Sequence, residues 1–282
     1  MNVGIAVPLP AYYVDVGFIA RKAEELGFES FWCAEHPCLP VRTSSRFPGS
    51  EDGVIPETYA HFIDPFVALA RASGVTKRIT LGTGIVLVPE RHPILLAKEV
   101  ATLDVFSGGR FVFGVGSGWL REETEIMGGD FDHRWTQVRE SVMAMKELWS
   151  KPEPEFHGRY YNFPPVKSFP KPYQKPHPPV ILGGFAPNVL KRVVAWGDGW
   201  LPNRITPDKL RECRMTLDRL AKDAGRDPSR ITISVYGQPA DRDLIRRLHD
   251  AGATRVIVRP PTVTSEAEMG AQLSRIAEAV LR

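Results

Sequence analysis

The chain has 282 residues, 43% of them apolar and 24% charged, with 36 Lys and Arg against 33 Asp and Glu. That length is enough for one large core or two ordinary ones, and a net charge of +3 without any basic block argues against a nucleic-acid surface. No apolar run approaches membrane-spanning length, residues 1–8 are too short and uncharged for a signal peptide, and Cys33, Cys38 and Cys213 match neither a zinc nor a disulfide spacing, which together fit a reducing cytoplasm.

In chain order, residues 2–7 predict a first strand, followed by a helix with Phe18, Ile19, Ala23 and Leu26 on one face that stops at Gly27. Residues 28–34 predict a second buried strand, ending in Glu35-His36-Pro37. A Ser-, Gly- and Pro-rich loop runs to Phe62, and the next helix opens at Asp64-Pro65, with Asp as cap and Pro in its first turn. The third strand, within residues 78–89, is apolar on nearly every position and breaks into glycines at its carboxyl end. A helix after Pro93 carries Leu95, Leu96, Val100, Leu103 and Val105, and Ser107-Gly108-Gly109 leads into a fourth strand that runs into Gly116-Ser117-Gly118-Trp119. Strands apolar on both faces, alternating with helices and without a hairpin signal, predict a parallel sheet covered on both sides.

After Trp119 a helical region extends to about Trp149, interrupted at Gly128-Gly129, with Val138, Val142, Met145 and Leu148 on the apolar face of its second part. Residues 152–179 are rich in proline and aromatics. They read either as a polyproline recognition segment or as an ordered excursion anchored by Tyr160, Tyr161, Phe163 and Phe169, and the second is preferred. Alternation then resumes, with strands at 179–182, 199–201, 231–235 and 255–258 and helices at 187–196, 207–224, 240–251 and 266–281. Eight repeats in this length predict a single (β/α)8 TIM barrel over residues 1–282, with the excursion between its fourth and fifth strands. A doubly wound sheet is the alternative, but it seldom needs eight strands with every crossover present.

In a barrel, ligands sit at the carboxyl ends of the strands. Those ends offer Glu35 and His36; Thr83, Gly84 and Ile85; Gly116, Ser117 and Gly118, with Trp119 and Glu122 just beyond; and Gly183, Gly184 and Phe185 leading into a helix. The Gly183-Gly184 turn before a helix start suits a phosphate-bearing cofactor, or is a bare turn that needs positive φ. Glycine-rich ends on three neighbouring strands leave space for a flat ring system. Glu122 and Glu123 read as solvated residues of a helix start. His36 is an acid–base candidate, a donor to a cofactor, or a plain structural donor. The seven histidines form no His-x-His or His-Glu-x-x-His pair, and no Gly-x-Ser-x-Gly elbow is present, so a metallohydrolase and a serine nucleophile are both poorly supported.

These residues, in this order and spacing, resemble the bacterial luciferase-like monooxygenase superfamily, and more closely its branch dependent on the deazaflavin coenzyme F420. The resemblance is carried by Thr83-Gly84-Ile85, Ala101-Thr102-Leu103-Asp104, Ser107-Gly108-Gly109-Arg110, the run from Gly114 to Glu123, Phe156-His157-Gly158-Arg159-Tyr160-Tyr161, Pro176-His177-Pro178-Pro179, Gly183-Gly184 and Gly197-Asp198-Gly199-Trp200. It implies a bacterial luciferase-like barrel with a non-proline cis peptide at Gly84–Ile85, behind the cofactor ring. It also implies that Glu35 and His36 contact the deazaflavin and its reacting face, and that Gly183, Gly184 and Phe185 bind its phosphate. Homodimers joined through the second and third helices are implied too. The expected activity is hydride transfer between coenzyme F420 and a small molecule, with His36 as proton donor. Flavin mononucleotide (FMN) with a separate reductase is the alternative. Sugar-phosphate dehydrogenases of the branch carry glutamate where this chain has Trp119 and tryptophan where it has Pro40. Those two positions therefore point to an apolar or planar substrate.

Overall fold

The computed structural model describes residues 1–282. From the amino end the elements are β1 (Val3–Ala6), α1 (Val16–Leu26), β2 (Ser30–Cys33), α2 (Pro65–Val75), β3 (Thr80–Thr83), β4 (Val86–Leu87), α3 (Pro93–Ser107) and β5 (Phe111–Gly116). They continue with α4 (Arg121–Ile126), α5 (Arg134–Ser150), β6 (Phe156–His157), β7 (Asn162–Phe163), β8 (Val180–Gly183), α6 (Val189–Trp196) and β9 (Gly199–Leu201). The carboxyl end adds α7 (Pro207–Asp223), β10 (Thr232–Gln238), α8 (Arg242–Asp250), β11 (Arg255–Val258) and α9 (Glu266–Val280).

The main sheet runs β3-β2-β1-β11-β10-β9-β8-β5-β4, every pairing in it is parallel, and the β3–β5 pairing (Leu81 with Phe111, Gly82 with Val112) closes it into a ring. β3 and β4 are two halves of one stave, separated by Gly84–Ile85, and both pair with β5. The result is an eight-stave (β/α)8 barrel, and the doubly wound alternative is set aside by the closure. No helix is long and apolar enough to cross a membrane.

Local chemistry sets the helix limits. The side chains of Asp15 and Asp64 accept from the first-turn N–H groups of α1 and α2, and Gly27 and Gly108 take left-handed φ of 94° and 66° to end α1 and α3. Two cores result. A 60-residue apolar cluster lies between staves and helices. A smaller one fills the lumen, with Ala6, Trp32, Val112, Ile181, Leu201, Tyr236 and Ile257 supplied one per stave and Ile85 added by the remaining stave. The lumen is therefore a packed plug, and the working surface lies above it. Of the apolar residues on α3, Leu96, Val100 and Leu103 are buried, whereas Leu95 and Val105 are 60% and 38% exposed.

The excursion at 152–179 is ordered, built on the antiparallel β6–β7 hairpin. Tyr161 and Phe163 are buried anchors, but Phe169 is 56% exposed and Tyr160 is half-buried, with its hydroxyl donating to Asp130 at 3.0 Å. The segment is also held by polar ties: Gln174 donates to both carboxylate oxygens of Asp104 at 2.8 and 2.6 Å, and Lys171 reaches the Leu148 carbonyl at 2.7 Å. Short alternating apolar positions could not reveal these ties.

Candidate functional site

The third stave breaks at the mouth of the barrel, where the Gly84–Ile85 peptide is cis. The bulge turns Ile85 inward over the glycines of the neighbouring staves. A Cβ on Gly116 would sit 2.5 Å from Ile85 Cδ1, and one on Gly183 would sit 2.6 Å from Ile85 Cγ2. Gly84 is equally constrained, since a Cβ there would meet the Tyr236 ring at 2.6 Å. These glycines are bare because Ile85 and Tyr236 occupy the adjoining space, which corrects the expectation that they leave an empty slot. The partly exposed Ile85 becomes the floor above the plug.

His36 follows the end of β2, at the same end of the barrel. Its Nδ1 lies 2.7 Å from Glu123 Oε2, with side-chain exposures of 8% and 1%. With Glu123 ionised, its carboxylate can only accept, so Nδ1 carries the proton and Nε2 is left as the free ring nitrogen. No protein group hydrogen-bonds Nε2. Aromatic rings surround the imidazole, with centroids at 5.1 Å (Tyr59), 5.3 Å (Phe62) and 5.8 Å (Trp119), and Phe47 closes against Tyr59 and Trp119 at 5.0 and 5.6 Å. Trp119 thus forms an apolar wall beside His36, and Pro40 lies half-buried on the loop leaving the same stave.

Three buried carboxylates support this centre. Glu123 also accepts from the Cys38 N–H at 3.4 Å, tying the loop after His36 to α4. Glu90 is 6% exposed, accepts from Thr124 Oγ1 at 3.2 Å through one oxygen and has no partner for the other. Burial pushes its carboxyl up to about 8, helped by the negative charges of Glu123 and Glu35. Glu35 accepts from the Leu87 N–H at 2.7 Å and from the Arg91 guanidinium, which also reaches Asp64 at 2.7 Å and Glu99 at 3.3 Å. Burial pushes the Glu35 carboxyl up, and the Arg91 charge opposes it.

Several expected contacts are redirected. Glu35 is 4% exposed with both oxygens engaged, so it fixes the β4 end rather than facing a ligand. The Thr83 hydroxyl is fully buried, donating to the Gly114 carbonyl and accepting from its N–H, both at 2.8 Å. Glu122 points away, accepting from the N–H and hydroxyl groups of Ser44 and Ser45 at 2.6–3.3 Å, which pin the loop between β2 and α2. The reading of Glu123 as a solvated helix start is also corrected, because it is fully buried. Glu123, Glu90, Arg91 and Tyr59 were missed. A Glu-Arg pair inside the apolar stretch 85–103 was the available signal for two of them.

On the β8 side, Gly184 has φ +84° with open space where a Cβ would be. Its own N–H is taken by the Leu201 carbonyl at 3.0 Å, and Trp200 Nε1 donates to its carbonyl at 2.8 Å. The free donors therefore lie beyond it: the N–H groups of Phe185, Ala186, Asn188, Leu190 and Lys191 have no acceptor, and α6 starts without a side-chain cap. Phe185 is 52% exposed and packs edge-on against Trp200 at 5.7 Å. Gly118 has φ +76°, and the buried Ser117 hydroxyl makes only a 3.4 Å contact, to the Gly118 carbonyl. A flat floor at Ile85 flanked by open main-chain N–H groups at a helix start fits a ring-and-phosphate cofactor.

Among known proteins, the chain is 36% identical over 263 residues to the uncharacterised protein Rv0953c of Mycobacterium tuberculosis, covering 92% of this chain and 91% of that one. It is 38% identical over 173 residues to the oxygenase component of a flavin-dependent trigonelline monooxygenase of Acinetobacter baylyi, spanning 60% of this chain and 42% of that protein. It is 34% identical over 186 residues to an F420-dependent glucose-6-phosphate dehydrogenase of Amycolatopsis mediterranei, spanning 64% and 51%. The family described as luciferase-like monooxygenase matches residues 8–255, and with the closed barrel and its broken third stave the chain belongs to that family.

Proposed function

We propose that the protein is an oxidoreductase that moves hydride between coenzyme F420 and a small organic substrate with a planar or apolar body. The observation that carries this reading is the His36–Glu123 pair, set among aromatic rings at the barrel mouth. A bound deazaflavin supplies the hydride chemistry, and the protein supplies orientation and the proton. Ile85 and Gly84 back the ring, and the N–H groups of Phe185, Leu190 and Lys191 take its phosphate. Glu123 holds the imidazole so that Nε2 is presented to the substrate, and His36 exchanges the proton there. Trp119, Tyr59, Phe62 and Phe47 exclude water from that point. The F420-dependent relative supports this reading; the flavin-dependent relative favours the second one, an FMN monooxygenase fed by a separate reductase.

The test is anaerobic and aerobic turnover with reduced F420 and reduced FMN across a panel of carbonyls, alkenes and nitrogen heterocycles. Oxygen-independent oxidation of F420H2 coupled to substrate reduction is the expected result. Oxygen consumption with FMNH2 and no F420 reaction would transfer the assignment to the monooxygenase.

The same reading includes a homodimer through α2 and α3, supported by Val67, Leu95 and Phe106, which are 72%, 60% and 72% exposed on those helices. Light scattering on the purified protein checks it: a dimeric mass is expected, and a monomer at micromolar concentration removes it.

A further inference from the structure

Three arginines gather at the mouth on the β9–β11 side without any carboxylate partner. Arg204 follows β9, Arg259 follows β11, and Arg247 lies on α8; none forms an ion pair, and all three line one cavity of about 990 Å³. The only acid on its wall, Asp208, is already held by Arg211 at 3.0 Å. Arg91 and Arg121, by contrast, are each paired with carboxylates.

Two of the three contact Tyr236, Arg259 through its side chain and Arg204 through its main chain. The Arg259 guanidinium lies over the Tyr236 ring, 5.9 Å from its centroid, and that ring abuts Gly84 at the stave break. Arg204 donates its N–H to the Tyr236 carbonyl at 3.0 Å and has φ 49°, a left-handed conformation uncommon for a residue with a side chain. Both guanidiniums also act on the half-buried Tyr59 hydroxyl, opposing the upward push of burial on it, so their field extends to the ring that touches His36.

We propose that Arg204 and Arg259 form a subsite for an anionic group, carboxylate or phosphate, carried by the substrate, whose planar or apolar body packs against the Trp119–Tyr59 aromatic wall. The subsite rests on the oxidoreductase reading for the identity of its occupant, and it deepens that reading by naming the acidic end of the substrate. One guanidinium over the Tyr236 ring and a second lining the same cavity, neither in an ion pair, offer forked donors matched to planar or tetrahedral oxyanions. Arg247, on the outer wall of the cavity, adds charge.

The test is calorimetric titration of the purified protein, without cofactor and at low salt, with inorganic phosphate, benzoate and the neutral benzyl alcohol. Wild type should bind both anions and bind benzyl alcohol more weakly. Arg204→Gln and Arg259→Gln should each weaken anion binding by about tenfold or more, as expected for a lost charge-assisted contact, and Arg259→Lys should recover part of it. Equal anion affinity in wild type and the double Gln variant, or no anion binding in wild type, overturns the subsite. In a parallel titration with coenzyme F420, unchanged affinity in the double variant keeps the subsite with the substrate. A parallel loss there hands it to the cofactor's own anionic part and overturns the assignment. Failure of wild type to bind F420 or FMN, with phosphate binding intact, strikes the oxidoreductase reading and not the subsite.

Discussion

Replacing Glu90 by Gln should change the pH dependence of stability in a way few other substitutions would. Glu90 is 6% exposed, one of its oxygens has no partner, and burial pushes its carboxyl from 4.5 to about 8, reinforced by Glu123 and Glu35 and opposed by Thr124 and Arg91. The sign follows from linkage. A carboxyl whose folded-state value is raised holds its proton in the native chain while the unfolded chain releases it. Its favourable contribution is therefore complete below about pH 4.5 and is lost as pH rises through about 8. That interval, at about 1.36 kcal/mol per pH unit, gives a ceiling of roughly 4–5 kcal/mol. Gln is uncharged at every pH and nearly isosteric, and its amide oxygen can still accept from Thr124. Urea denaturation of wild type and Glu90→Gln at pH 5, 6, 7 and 8 should therefore give curves that separate, with the variant gaining about 1 kcal/mol per pH unit over wild type. Parallel pH profiles would show that Glu90 is ionised in the folded chain at pH 7, and the description of the buried acidic cluster would fail.

Three further predictions follow from the same geometry. His36→Asn should lower turnover of an identified substrate by about 10²–10⁴ while cofactor affinity stays within a few-fold, and Glu123→Gln should alter the pH–rate profile through the same imidazole; stopped-flow absorbance separates the two effects, and unchanged rates remove His36 from the chemistry. Gly183→Ala should destabilise by about 1–3 kcal/mol because its methyl would lie 2.6 Å from Ile85 Cγ2, and Ile85→Ala in the same chain should recover part of that loss; strictly additive losses in a denaturation cycle would mean the two residues do not touch. Glu122→Ala releases the N–H and hydroxyl groups of Ser44 and Ser45, so limited proteolysis should cut the 41–56 loop several times faster than in wild type; equal cleavage rates would show that the loop is held elsewhere.

The barrel was legible because its cause is local and repeated. Runs such as Phe111–Gly116 are buried on both faces, and that leaves an unbroken apolar signature that alternates with capped helices. That glycine-marked strand ends would meet at one mouth of the barrel was legible for the same reason. The partners were not, because they come from contacts distant in sequence: His36 meets Glu123 across 87 positions, and Glu35 meets Arg91 across 56. The glycines show the limit most clearly. Gly116 and Gly183 were correctly placed at the mouth, but only the inward turn of Ile85 explains why they carry no side chain. Charged residues misled in both directions: Glu123 resembled a solvated helix start and is buried, while Glu35 resembled a ligand contact and is locked to Arg91.

The most direct measurement is a fluorescence titration of coenzyme F420 into the purified protein, with FMN in parallel. The account predicts saturable quenching of F420 at one molecule per chain and weaker binding of FMN. A flat response to both molecules, from protein shown by circular dichroism to be folded, would contradict a cofactor floor at Ile85.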